Sequence, residues 1–221
     1  MKRKFIALAI ASCLVSTMSY SQIKKGSILL GGSVGFSSSK TTEVQPNSWV
    51  GETKKNSLFL SPSVGVAIQD NLVLGADLTF ASIRGKYNSP ALETNKSTGY
   101  GGGVFIRKYW QLANKFYVFG NGRVGYQFSK EATPSHVSSV KTEYKNQRAA
   151  ASIAPGISFA VSRRVHLEST FINLLTVEYS KTREYNKASG VETKSSSDLY
   201  LTSSFEQNSA FTVGIRFLLS K

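Results

Sequence analysis

From residue 28 onward the chain alternates. Ile28, Leu30, Gly32, Val34 and Phe36 share one phase, with Leu29, Gly31, Ser33 and Gly35 on the other. The same two-residue period runs through 58–68, 72–80, 100–107, 116–128, 151–161, 165–171 and 211–219. Successive side chains of a strand point to opposite faces, so strict alternation predicts strands with one apolar face. Eight strands are expected, the fourth continuing to Trp110 and the seventh to Val177. At that length each reaches the roughly 9–11 residues that cross hydrocarbon at a tilt. Asn173 falls in the apolar phase of the seventh strand, and a bulge is expected there.

The connections alternate too. Residues 69–71, 111–115 and 162–164 are short, whereas 38–56, 83–98, 129–147 and 180–208 are long, polar and rich in Ser, Thr, Lys, Asn and Glu. Tight turns at one end and long loops at the other are the layout of a transmembrane β-barrel. An antiparallel sandwich and a soluble barrel of the lipocalin kind also alternate. A soluble barrel, however, turns its polar phase to bulk water and fills it with Lys and Glu. Here the polar phase is mostly Gly, Ser, Ala and Thr, with no lysine in any of the eight runs. Its charges are Arg107, Arg123, Arg216, Asp77, Glu168 and, high on the extended seventh strand, Glu178. Three arginines against three carboxylates suit a narrow interior, where an unpaired ion is costly. His166, in the same phase two residues before Glu168, is expected to hydrogen-bond to it.

Aromatic residues of the apolar phase group by height. Phe36, Phe80, Tyr100, Tyr126, Phe128, Tyr179 and Phe211 lie toward the loop ends; Trp110, Phe116 and Phe217 lie toward the turns. Two bands around an aliphatic middle match interfacial girdles. The N-terminus adds the compartment. Lys2, Arg3 and Lys4 precede an apolar run from Phe5 to Met18 and the small residues Ser19 and Ser21. This is the pattern of a secretory signal peptide spanning 1–21, which leaves 22–221 as the barrel domain. The run is too short to span a membrane as a helix. Cys13, inside it, is read as part of the discarded segment rather than as a lipidation site.

On 61–80 (SPSVGVAIQDNLVLGADLTF), 101–110 (GGGVFIRKYW) and 210–219 (AFTVGIRFLL) the chain resembles the small bacterial outer-membrane β-barrel family of the OmpA/OmpX/OmpW type. The resemblance covers 26–221. It implies an all-β, single eight-stranded antiparallel up-and-down transmembrane barrel, porin-like in build, with long extracellular loops and short periplasmic turns. It also implies outer-membrane lipids and lipopolysaccharide as surroundings and the barrel-assembly machinery as a partner during insertion. Such barrels usually end on an aromatic residue, whereas this chain ends Phe217-Leu218-Leu219-Ser220-Lys221.

The chain has 221 residues and a formal charge of +14, from 27 Lys plus Arg against 13 Asp plus Glu. The surplus lies in loops and turns, with no dense basic stripe, so nucleic acid is not an expected partner. A single cysteine and two separated histidines give no metal cluster, and no cofactor is expected. Tyr100-Gly101-Gly102-Gly103 lacks the Lys-Ser/Thr ending of a phosphate loop. His136 with Ser138, Ser139 and Glu143 resembles the Ser/His/Glu set of outer-membrane lipid A deacylases, but these residues sit in a polar loop. Eight strands enclose a space just filled by side chains. The expected function is therefore non-enzymatic: a structural, surface-contact or adhesion role without a wide pore. A narrow passive channel is the second expectation and a lipid A hydrolase the third.

Overall fold

A computed structural model describes residues 23–44, 50–88, 92–133, 142–171, 173–186, 189–203 and 212–219. Every regular element is a strand. They are β1 (Ile28–Val44), β2 (Val50–Gln69), β3 (Leu72–Asn88), β4 (Leu92–Ala113), β5 (Phe116–Thr133), β6 (Thr142–Ala160), β7 (Val165–Thr170), β8 (Leu175–Asn186), β9 (Glu192–Thr202) and β10 (Thr212–Leu219). Neighbours from β1 to β6 pair antiparallel in sequence order. β6 then pairs with β7, β7 with β10, and β10 with β1. These pairings close a ring of eight strands. β8 pairs with the distal half of β6, and β9 pairs with β8.

Among the described residues the expected count of eight thus becomes ten: the extended seventh strand comes in two pieces, β7 and β8, and β9 arises within the expected 180–208 loop, while β10 is the expected eighth strand. Between Gly156 and Ile153, β6 advances three residues while its partner advances five, from Thr170 to Leu175. Two extra residues bulge out, and an even excess keeps the alternation in phase on both sides. Asn173 sits in this bulge. It lines the polar interior rather than the outer wall. Above the Gly35–Thr212 pair, β1 is paired only to β2 and β9 only to β8 among the described residues.

The expected long loops are also corrected. Residues 38–44 and 50–56, 83–88 and 92–98, 129–133 and 142–147, and 180–186 and 192–202 are paired strand. Their polarity hides all but the end of the last, where Leu199 and Leu201 stand on the outer face opposite Tyr179 and Val177. Hydrophobic alternation appears only where one face meets an apolar medium; beyond it a ladder keeps its hydrogen bonds with polar side chains on both faces. Three short turns join β2 to β3, β4 to β5 and β6 to β7 where expected, the second narrower than 111–115 because Gln111 to Ala113 belong to β4. Asn71 takes a positive φ of 59° in the first of them, a conformation asparagine tolerates.

The two faces of the ring differ as their residues dictate. On the outer face stand Phe36, Leu78, Val104 and Val124, more than half exposed, in a continuous apolar wall. Inside, at the turn end, Tyr109, Tyr117, Phe119, Ile23 and Val73 are almost fully buried. Phe119 packs at a centroid distance of 5.5 Å from Tyr109 and lies over the backbone of Gly156, where a Cβ would overlap its ring.

Candidate functional site

Above that aromatic floor the interior turns ionic. β7 carries Glu168 inward at 4 % exposure. Arg107 of β4 forms a salt bridge to its Oε2, and Arg216 of β10 reaches the same oxygen from the other side at 3.1 Å. Tyr109 Oη donates to Oε1 at 2.6 Å. Arg107 Nε also donates to Asn121 at 3.1 Å, and its guanidinium lies 4.4 Å from the Phe119 ring centroid. Arg216 donates a further hydrogen bond to Ser63 on β2. One carboxylate therefore ties β4, β7 and β10 together, and through Arg216 also β2.

A second centre lies on the opposite wall. Arg123 of β5 forks onto Asp77 of β3, with Nε 2.8 Å from Oδ2, and also reaches Thr79. Gly103 and Gly125 flank that guanidinium so closely that a Cβ on either would meet it within 3 Å. Between the two centres is a polar cavity of about 150 Å³ bordered by Ser33, Ser61, Ser152 and Asn173.

The structure rearranges the expected six-charge network. Two carboxylates, Asp77 and Glu168, take all three inward arginines. Glu178 stands apart and higher, paired with Arg148 of β6 at 2.9 Å. Arg148 was not anticipated, because it lies beyond the end of the apolar alternation on β6. The two border a second polar cavity of about 540 Å³ with Thr176, Ser180, Asp198 and Tyr200.

His166 is 1 % exposed, and its Nδ1 lies 3.1 Å from Ser158 Oγ. Ser158 is thus a neighbour of the ring that the sequence did not suggest, and Tyr109, Arg107 and Arg216 engage the oxygens of Glu168 two residues on. Ser158, His166 and Glu168 superficially resemble a hydrolase set. All three are buried, and the carboxylate is engaged by two guanidiniums and a phenol. His136, Ser138 and Ser139 lie outside the described residues; Glu143 has its Oε1 3.9 Å from Lys145 Nζ. No group of His, Cys, Asp and Glu among the described residues could hold a metal ion.

The aromatic sets can be followed through the strand register. Phe80, Tyr100 and Phe128 are consecutive cross-strand neighbours, with Tyr100 and Phe128 at 5.4 Å between centroids. Phe36, Tyr126 and Tyr179 are exposed outer-wall residues of the same end. Trp110, Phe116 and Phe217 are exposed at the turn end, where Phe116 stacks on Phe159 at 4.8 Å, a partner the sequence reading omitted. Phe211 and the segment 1–21 lie outside the described residues.

No protein-family model matches the chain, and no curated protein does either. Solved structures do. The chain is similar to the outer membrane protein OprG from Pseudomonas aeruginosa, with 13 % identity and a TM-score of 0.51 over 92 % of this chain and all of that one. Lower scores are found for the translocator domain of autotransporter NalP from Neisseria meningitidis (14 %, TM-score 0.41, 100 % of this chain and 76 % of that one). Neisserial surface protein A gives 14 % identity and a TM-score of 0.37, over 87 % of this chain and 97 % of that one. At such low identity the likeness to OprG is one of architecture: the chain has the fold of the small bacterial outer-membrane β-barrels.

Proposed function

We propose that the chain is a non-enzymatic integral protein of a bacterial outer membrane, exported by a cleaved signal peptide at 1–21. Its turn end faces the periplasm and its long distal hairpins face outward. The observation that carries this reading is the outer wall. Val104, Val124, Leu78 and Phe36 are more exposed than a water-soluble fold leaves so many contiguous large apolar groups. The charged residues of the same strands turn inward and pair. Only an apolar medium outside the ring makes both choices favourable.

Within that setting the wall is an anchor and the polar hairpins are what the cell surface presents. A structural, surface-contact or adhesion role follows from that division. Gel electrophoresis of detergent-extracted protein, with and without boiling, tests the reading. A folded barrel migrates differently before boiling; identical migration together with solubility in the absence of detergent contradicts it.

A second reading, a narrow passive channel, draws on the two polar cavities of about 150 and 540 Å³. Against it stand the Glu168 centre and the Tyr109–Phe119 floor, which fill the path between them and the turn end. Single-channel recordings separate the two readings. Reproducible conductance steps favour the channel, and a silent bilayer favours the anchor.

A further inference from the structure

Most cations of the distal strands lie on the outward face, the face that is apolar lower down, whereas Arg148 and Lys55 lie on the inward one. On β5, Lys130 follows Phe128 by two residues and so points the same way; its Nζ lies 5.8 Å from that ring. Lys130 stands directly opposite Lys145 on β6, and Lys145 directly opposite Arg183 on β8. Lys181, two residues beyond Tyr179 on β8, joins them on the same face. Like charges placed opposite each other across a ladder destabilise it. Neighbouring strands are about 4.8 Å apart, so the four cations share one compact patch.

The acids nearby compensate weakly. Glu143 reaches Lys145 only at 3.9 Å, and Glu192 accepts from Tyr185 at 3.3 Å. Lys145 Nζ lies 4.2 Å from the centroid of the Tyr185 ring, and the charge of Arg183 is favoured by Tyr185 and Glu192, although its buried Nε has no hydrogen-bond partner among the described residues. Elsewhere Lys40 and Lys54 hold Glu52 between them at 2.8 Å each, while Lys54 also stands opposite Lys86 and Arg84 opposite Lys96. The Lys130 patch, with three cations in consecutive cross-strand positions and a fourth two residues away, is a place on the outer wall where repulsion is left for an external anion to relieve.

Its height selects the anion. The patch begins one outward residue above the Tyr100–Phe128 aromatic pair, the level at which an apolar wall gives way to lipid headgroups. We propose that Lys130, Lys145, Lys181 and Arg183 bind the phosphates of a bisphosphorylated glycolipid of the outer leaflet, the lipid A class, whose acyl chains lie along the wall below. Lysine supplies point charge to the phosphate oxygens and arginine a fork of donors. This rests on the membrane placement proposed above.

The test uses the full mature chain refolded in phosphatidylcholine vesicles, with folding confirmed by its migration before boiling. Bisphosphorylated lipid A is titrated in, against dephosphorylated lipid A and against inorganic phosphate. The expected result is tight binding of the bisphosphorylated lipid alone, weakening as salt is raised. At about 1 kcal/mol per basic residue near an anionic surface, K130Q/K145Q/R183Q should lower the affinity about a hundredfold. The turn-end variant K24Q/K25Q/K108Q should leave it unchanged. Equal binding of the dephosphorylated lipid, equal capture of inorganic phosphate, or equal loss in both variants would overturn the inference while leaving the barrel in its membrane. Failure of the chain to insert into any vesicle would instead overturn the membrane reading, and this inference with it.

Discussion

At the scale of single residues, the chain concentrates risk in Glu168. Its carboxylate is 4 % exposed and serves Arg107, Arg216 and Tyr109 at once. Removing its charge leaves two buried guanidiniums without a counterion. Glu168→Gln is expected to cost about 3–5 kcal/mol in urea unfolding from lipid vesicles. Asp77→Asn should cost less, because the Arg123 side chain it pairs with is 29 % exposed and keeps access to water. Equal costs would contradict this ranking. Gly156 offers a separate check on packing. A methyl there overlaps the Phe119 ring, so Gly156→Ala is expected to cost about 1–3 kcal/mol in the same assay. Phe119→Leu in the Gly156→Ala background should return part of it, since the smaller side chain vacates the space.

At the scale of elements, the strands divide into an apolar part and a polar extension. The distal β1–β2 hairpin is held by its ladder and by Glu52 beneath two lysines. Hydrogen bonds from Lys40 and then Lys54 hold the Glu52 carboxyl below its ordinary pKa. A carboxyl with a depressed folded pKa adds stability above its unfolded value and loses it as pH falls through the folded one. Protection against amide exchange in residues 38–42 and 53–56, measured relative to the intrinsic rate at each pH, should therefore fall as pH drops below the ordinary glutamate range. Glu52→Gln should remove that step; a step that persists in the variant would assign it to another group.

The same division explains what the sequence could reveal. Where a strand meets an apolar medium its alternation is strong, and the inner ends of β1 to β6, the three short turns and the inward placement of Asp77, Arg107, Arg123, Glu168 and Arg216 were all legible. Beyond residues 36, 80 and 128 the extensions are mostly polar on both faces and carry little period to read; β9 carries only a two-residue trace, Leu199 and Leu201 on the outer face opposite Tyr179 and Val177, at the end of an otherwise polar segment. Arg148 was missed for the same reason. Partner choice was less legible than placement: alternation puts Glu168 and Glu178 on one face, but only three-dimensional height separates them. The register excess between Thr170 and Leu175 has a trace in the sequence, the out-of-phase Asn173, which lines the interior.

At the scale of the whole molecule, a closed ring is an inside-out globule. Its polar groups fill the centre and its large apolar groups look outward, which reverses the ordering that water imposes. The medium outside can be tested at a single position. Val104 lies on the outer face of β4 between the Tyr100 and Trp110 levels and is 58 % exposed. In water, a substitution at so exposed a position is close to neutral. Facing hydrocarbon at mid-depth, arginine costs about 2–4 kcal/mol. The decisive measurement is the unfolding free energy of Val104→Arg against the unmodified chain, both refolded in phosphatidylcholine vesicles. A loss of about 2–4 kcal/mol is the predicted result. Unchanged stability would contradict it, because the outer wall would then be facing water.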